Sequence, residues 1–485
     1  MLRLTILTEG YKHTGYGHIV RCSAVARAFF ELGVEVRFLL NGDESAAELL
    51  KPFSVVLLNW IEDKERLSGF LSDSNLVLID SYLAPEELYK FVANKIETSI
   101  YLDDFVRLNY PPGIIVNGTV GAHLSDYHLQ AKHILLVGEK YAILREAFLD
   151  VQPRFTISEQ IHTILITFGG SDPQNMTREI LPLLTHLYPH AKKRVVVGAA
   201  FTGVEELKSL ADHQTEFHFN VDAAQMRDLM CTADIAITAA GQTLNELGRT
   251  GLPSIVFKVA DNQKNNIKGW LETGFISAYI DATEEWSSDN LVALLKTLEP
   301  AEVRLAYSKA GQSAMDGNGA MRIAKACLST YYKDKIQIAD AKEEDILFLF
   351  NLANDEEVRK QSFSTKPITL DEHAKWFRSV LADPHRLLYV LTVANQFMGQ
   401  IRFDLSDDTA VISISISREF RGLGFAPELL ALSLDRLKKQ TFGQVKEVFA
   451  YVKPQNVASQ RIFLKANFLP CACEKEETLK FRYRL

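Results

Sequence analysis

Along the first third of the chain, continuous apolar runs alternate with stretches in which apolar positions recur every three to four residues. "LRLTILT" (2–8), "EVRFLL" (35–40), "NLVLID" (75–80) and "SIYLDD" (99–104) have the length and content of strands, while "IVRCSAVARAFFELG" (19–33) and "PEELYKFVANK" (85–95) carry the helical period. Strands that are apolar on both faces and separated by helices predict a parallel sheet covered on both sides. A second run of the same kind begins at "HTILITFGGSDPQN" (162–175) and continues through "KRVVVGAA", "ADIAITAAGQTLNELGRTGLP" and "PSIVFKV". The pattern changes at "YYKDKIQIADAKEEDILFLFNLAND" (331–355), where a new strand leads into an acidic helix start. Beyond it, "LLYVLTVANQFMGQIRFDL", "TAVISISIS" and "EVFAYVKP" have the look of antiparallel strands, and the Ile/Ser alternation is that of a strand with one buried face. The expected architecture is α/β: two Rossmann-like halves, 1–150 and 151–332, with a cleft between them, then an α+β domain over 336–485.

Length agrees with this division, since 485 residues exceed what one core supports. Apolar (47%) and charged (24%) contents are those of a soluble protein, and a net charge of −8 argues against general nucleic-acid binding. Five scattered cysteines, Cys22, Cys231, Cys327, Cys471 and Cys473, fit a reducing compartment better than a disulfide framework. Cys471-Ala-Cys473 has no second pair nearby, and no metal site is expected. No apolar run reaches the roughly 18 residues of a membrane span. The first apolar run is short and leads directly into "TEGYKHTGYGH", unlike a secretory leader. These features predict a cytoplasmic protein with no membrane span.

Candidate chemistry gathers at strand ends, where open α/β sheets bind ligands. "GYGHIVRC" (15–22) follows the first strand: Gly15 and Gly17 permit close approach, the helix N-terminus attracts an anion such as a diphosphate, and His18 has the chemistry of a general base. Taken alone, the octapeptide fits a histidine-capped turn equally well. Other strand ends carry Asp80-Ser81-Tyr82, Asp103-Asp104, Gly169-Gly170-Ser171-Asp172 and Gly241-Gln242-Thr243, the last running into a helix with Asn245 and Glu246. Each carboxylate by itself suits a solvated loop or cap; their repeated placement on one edge points to a site.

The run "AAGQTLNELGRTGLPSIVF" resembles the nucleotide-sugar site of GT-B-fold enzymes, particularly the MurG-like group. Within that group the resemblance is to the UDP-sugar hydrolases of pseudaminic acid biosynthesis. It rests on "GYGHIVR", "LIDSY", "LDDF", "IVNG", "YAILREAF", "FGGSDPQN" and "LNE", in order over about residues 3–280. The resemblance implies His18 as the catalytic histidine and Tyr82 as a second active-site residue. It implies a UDP-sugar site that includes Gly15, Gly17, Arg21, Asp104, Gly170, Gln242, Thr243 and Asn245, with Glu246 holding the ribose hydroxyls and Gln263 of "ADNQKNN" closing over the nucleotide. The implied reaction is cleavage of UDP-2,4-diacetamido-2,4,6-trideoxy-β-L-altropyranose to UDP and the free sugar, by water attack at the anomeric carbon with inversion.

In the last third, "SREFRGLGFAPELLALSLDRL" (417–437) fits Arg/Gln-x-x-Gly-x-Gly/Ala at the opening of a helix: a phosphate cradle or a tight turn. "VKPQNVASQRIFLKANF" (452–468), the start "IQIADAKEEDILFLFNLANDEEVR" and the His-x-x-Trp of "DEHAKWF" are similar to the GNAT acetyltransferases. This implies acetyl-CoA as co-substrate, bound by the backbone of Arg421, Gly422, Leu423, Gly424, Phe425 and Ala426, with Asn456 near the pantetheine arm. Two positions depart from the GNAT pattern: Asn467 stands for its glycine and Phe463 for its tyrosine, which leaves the general acid unassigned. Asparagine tolerates left-handed backbone, so the turn is expected to survive. Together the resemblances imply two consecutive steps on a UDP-amino-sugar: acetylation of a 4-amino group, then removal of UDP. The alternatives are a GT-B glycosyltransferase passing the sugar to an acceptor, and a GNAT domain that binds without catalysing.

Overall fold

The computed structural model describes residues 2–11, 16–127, 133–474 and 476–485. The chain divides into two compact units, Met1–Ala324 and Lys325–Leu485.

The first unit holds two parallel sheets. One consists of β1 (Arg3–Gly10), β2 (Glu35–Gly42), β3 (Ser54–Leu57), β4 (Leu76–Asp80), β5 (Thr98–Leu102), β6 (Gly113–Asn117) and β7 (His133–Val137), in the order β3-β2-β1-β4-β5-β6-β7. The other consists of β8 (Thr163–Thr167), β9 (Lys192–Val197), β10 (Thr215–Phe219), β11 (Ile235–Ala239), β12 (Ser254–Lys258) and β13 (Tyr279–Asp281), in the order β10-β9-β8-β11-β12-β13. Both orders reverse beside the first strand, the arrangement of doubly wound sheets that bind ligands at the carboxyl ends of their strands. The continuous apolar runs have a physical cause here. β4, β5, β8 and β12 are buried at every residue, because helices cover both faces. β3 and β7, which the apolar pattern does not single out, are the edge strands of the first sheet; they are short and half-exposed, and so carry a weaker signal.

Three helices matter below. α1 (Gly17–Glu31) follows β1, and α2 (Thr243–Thr250) follows β11. α3 (Gly319–Tyr332) runs through the division between the units. Gly251 ends α2 in the left-handed region at φ 63°, the capping role its place after the helix suggests. α1 lies so close to its strand that a Cβ on Gly10 would stand 2.5 Å from Ile19. Gly10 is therefore the glycine that this strand-to-helix turn demands. Gly17 faces open space, and Gly15 lies outside the described residues.

The second unit has one mixed sheet: β14 (Ile336–Asp340), β15 (Arg386–Val393), β16 (Gln396–Ser406), β17 (Thr409–Ile416), β18 (Glu447–Val452), β19 (Leu469–Cys471) and β20 (Leu479–Arg484), in the order β14-β15-β16-β17-β18-β20-β19. Its pairs are antiparallel except β17 with β18. α4 (Leu370–Ala382) packs His373, Phe377 and Val380 inward, α5 (Ala426–Gln440) follows β17, and α6 (Val457–Lys465) follows β18. Asn467 takes φ 64°, so the turn that GNAT domains make with glycine is kept. No helix among the described residues is long and apolar enough to cross a membrane.

Candidate active sites

The carboxyl ends of β1, β4 and β5 meet the N-terminus of α1. His18 and Arg21, three residues apart, share one face of that helix. The Arg21 guanidinium donates to both oxygens of Asp80, at 2.6 and 2.5 Å, and to both oxygens of Asp104, at 2.8 and 2.7 Å. The Tyr82 hydroxyl donates to Asp104 in turn. The imidazole of His18 lies edge-on to the Tyr82 ring, with centroids 4.4 Å apart. Its Nδ1 is 3.7 Å from Glu9 Oε1 and its Nε2 4.0 Å from Asp80 Oδ1. These are ion-pair rather than hydrogen-bond distances, of the kind that tighten when substrate arrives. An imidazolium formed here is flanked by two carboxylates.

Glu9 is itself held firmly. Ser81 Oγ donates to its Oε2, and the backbone N–H groups of Tyr82 (2.7 Å) and Leu83 (3.2 Å) donate to its Oε1. Burial pushes the Asp104 carboxyl up, but the Arg21 charge and hydrogen bonds outweigh this and hold it below the usual carboxylate range. Burial first, then the Asp104 charge, push the Tyr82 phenol well above its ordinary value, so it remains a proton donor. Cys22 donates to Asp80 at 3.3 Å and is fully buried, which raises its thiol well above the ordinary value and keeps it inert. No side chain among the described residues caps the first turn of α1, whose N–H groups face this edge. The expected residues His18, Arg21, Tyr82 and Asp104 thus come together, and Glu9 and Asp80 join them.

The second sheet contributes another polar edge. Gly241, Gln242 and Thr243 lead into α2, whose first turn has no side-chain cap among the described residues. A Cβ on Gly170 or Gly241 would meet nothing, leaving room for a ligand. Glu246 accepts from Arg145 Nε at 2.6 Å and from the same guanidinium's second nitrogen at 2.7 Å. Burial pushes this carboxyl above its usual value in spite of the arginine. One bidentate partner leaves further acceptor capacity for hydroxyl groups. Asn245 donates to Gln242 at 3.1 Å, and its own Oδ1 is buried without a partner among the described residues. Gln263 accepts from the Val259 N–H at 2.9 Å, so its carbonyl holds the turn and its amide nitrogen is left for a ligand. Arg145, like Glu9 in the first sheet, is not legible as a site residue in the sequence; its neighbour Glu146 pairs with Arg27 of α1 at 2.9 Å, so adjacent residues tie α1 and α2 to one segment.

In the second unit, β17 and β18 pair from Thr409↔Glu447 to Ile412↔Ala450 and then part, although β17 continues to Ile416 and β18 to Val452. A loop, 417–425, follows β17 and leads to α5. Arg421 is spent on holding it, through hydrogen bonds to the Ile416 carbonyl (2.7 Å) and Asp355 (2.6 Å). Leu423 and Phe425 bury their side chains, while Gly422 and Gly424, which precede them in turn, take φ 73° and 89°. The N–H groups of Gly422, Leu423, Gly424 and Phe425 make no hydrogen bond to other described residues, and Ala426 opens α5 immediately after. Free N–H groups on consecutive residues with alternating positive φ have the form of a backbone cradle for an anion. Asn456 caps α6 by accepting from the Ser459 N–H at 3.0 Å, which leaves its amide nitrogen available. Phe463 is buried against Phe468 and Phe481 and is a packing residue.

Comparison with known proteins separates the two parts. Residues 335–469 match the acetyltransferase (GNAT) domain family. The chain is 24% identical over 343 residues to the spore coat polysaccharide biosynthesis protein SpsG of Bacillus subtilis, covering 69% of this chain and all of that one. It is 23% identical over 495 aligned residues to an uncharacterised protein of Methanocaldococcus jannaschii, covering 96% of each. A third relative, 24% identical over 265 residues, is the pseudaminic acid cytidylyltransferase and UDP-2,4-diacetamido-2,4,6-trideoxy-β-L-altropyranose hydrolase of Helicobacter pylori; the match covers 53% of this chain and 44% of that protein. The chain is thus similar to a UDP-sugar hydrolase of the pseudaminic acid pathway and carries a GNAT acetyltransferase domain in its C-terminal part.

Proposed function

We propose that the chain performs two consecutive reactions on a UDP-amino-sugar. In the first, the 4-amino nitrogen of UDP-4-amino-4,6-dideoxy-N-acetyl-β-L-altrosamine attacks the thioester carbonyl of acetyl-CoA. The C–S bond breaks, coenzyme A leaves as the thiolate, and the nitrogen loses a proton. In the second, water attacks the anomeric carbon of the diacetamido product, the C1–O bond breaks, and UDP departs with the electron pair. His18 takes the proton of the attacking water, Tyr82 lies against it, and Glu9 positions it. The UDP charge is met by helix N-termini, with Gly170, Gln242, Thr243 and Asn245 around the nucleotide, Glu246 on the ribose and Gln263 over the site.

In this reading the two parallel sheets are Rossmann-like halves of GT-B type, 1–150 with the histidine and 151–332 with UDP, ahead of the GNAT domain at 336–485. The doubly wound strand orders support it. A UDP-sugar and acetyl-CoA as substrates support a cytoplasmic protein in this reading. The observation that carries the hydrolase is the position of His18 against Tyr82, Glu9 and Asp80, beside the N-terminus of α1 at the carboxyl edge of the sheet. The test is incubation of the purified chain with the UDP-4-amino-sugar and acetyl-CoA, followed by mass analysis. UDP and a free diacetamido sugar are expected. UDP release only on addition of a sugar acceptor would make the protein a glycosyltransferase.

A further inference from the structure

The cradle of 422–425 has a wall that lies outside the residues matched by the acetyltransferase family. α3 ends at Tyr332, before the match begins at residue 335. The Tyr332 ring packs edge-on against Phe420 and Phe425, at centroid distances of 5.4 and 6.4 Å, and so grips both ends of the loop. Seven residues earlier, two helical turns and therefore on the same face, stands Lys325. Its ammonium lies 3.2 Å from the point where a Cβ on Gly422 would be. No carboxylate among the described residues pairs with it. A cation thus stands beside Gly422, the first of four consecutive residues whose N–H groups find no partner among the described residues, and no described carboxylate pairs with it.

We infer that Lys325 is a binding residue for acetyl-CoA, contributed by the helix that precedes the acetyltransferase domain, and that its ammonium pairs with the pyrophosphate of the coenzyme. The inference rests on the acetyltransferase reading of the second unit. Gly422 has a second reason to be glycine on this account: besides its positive φ, any side chain would push the ammonium away from the loop. The backbone cradle supplies direction through its N–H groups, and Lys325 supplies the full charge that a nest of dipoles lacks.

Calorimetric titration of the full chain and its Lys325→Gln and Lys325→Arg variants with coenzyme A, 3′-dephospho-coenzyme A and pantetheine tests this. Lys325→Gln is expected to weaken both phosphorylated ligands about tenfold, the scale of one charged hydrogen bond, and to flatten their salt dependence. Lys325→Arg should retain most of the affinity, and pantetheine should bind all three proteins alike. Unchanged coenzyme A affinity in Lys325→Gln overturns the inference, as does an equal loss for pantetheine, which would make the residue structural. A loss confined to coenzyme A with its 3′-phosphate overturns the pyrophosphate assignment. If the unmodified chain binds no coenzyme A, the acetyltransferase reading falls and this inference with it; normal binding indifferent to Lys325 removes this inference alone.

Discussion

The candidate sites of the two units are built from different materials. At the carboxyl edge of β1, β4 and β5, charged and aromatic side chains from four separate elements converge, and almost every contact joins residues far apart in the chain: Arg21 to Asp80 and Asp104, Tyr82 to Asp104, and Ser81 to Glu9. At the loop after β17, the groups available to a ligand are backbone N–H groups of consecutive residues, and the side chains are turned inward or replaced by hydrogen. The first kind of site suits chemistry, because side chains exchange protons and reorient. The second suits holding a fixed anion, because the peptide groups cannot titrate and are already in place. Substitutions should therefore damage catalysis in one unit and affinity in the other.

The largest expected effect is that of His18→Ala on UDP release. Loss of a general base costs about 10²–10⁴-fold, and acetyl transfer should proceed at the unmodified rate. A variant that hydrolyses the UDP-sugar normally removes His18 from the chemistry. Gly424→Val should show the complementary pattern. A β-branched residue at φ 89° is strained, and its side chain would occupy the open space above the cradle. A loss of at least about tenfold in acetyl-CoA affinity is expected by titration, with UDP release unaffected; unchanged affinity would make the loop a turn only.

Glu246→Ala sharpens the contrast within the first unit. Its partner is Arg145 and its expected ligand is the ribose, remote from the breaking bond. The KM for the UDP-sugar should rise about tenfold with little change in kcat, and the opposite split would place Glu246 in catalysis. Glu9→Gln should do the reverse: by loosening His18 it should lower kcat by several-fold to about tenfold, with KM nearly constant. The smallest effect is that of Phe463→Tyr. The ring is buried between Phe468 and Phe481, so a hydroxyl there costs about 1–3 kcal/mol of stability unless it finds a partner. Coenzyme A release should not accelerate; a faster acetyltransferase would show that the missing phenol limits the reaction.

What could be read from the sequence follows from how local each feature is. β1, β2, β4 and β5 are visible as apolar runs because burial on both faces leaves few polar positions, whereas β3 and β7 sit at sheet edges and lose that mark. In β17 the Ile/Ser alternation is only partly realised: Ile412 is buried, but Ile414 and Ile416 are half-exposed where the strand has left β18. His18 and Arg21 are legible because one helical turn separates them, and the cradle because it falls within six consecutive residues, 421–426. Glu9 is illegible because "LTEG" has the form of a strand running into a turn; only the fold brings Ser81, Tyr82 and Leu83 to it, more than seventy residues on. Arg145 meets Glu246 across 101 residues for the same reason. A carboxylate at the end of the first strand of a doubly wound sheet is the one local sign that was available.

Product analysis of His18→Ala, supplied with the UDP-4-amino-sugar and acetyl-CoA, tests most directly the claim that one chain carries two separable steps. The account predicts that the variant accumulates the acetylated UDP-sugar intact, where the unmodified protein yields UDP and the free diacetamido sugar. Free sugar formed by the variant at the unmodified rate, or no acetylated product from either protein, would contradict it.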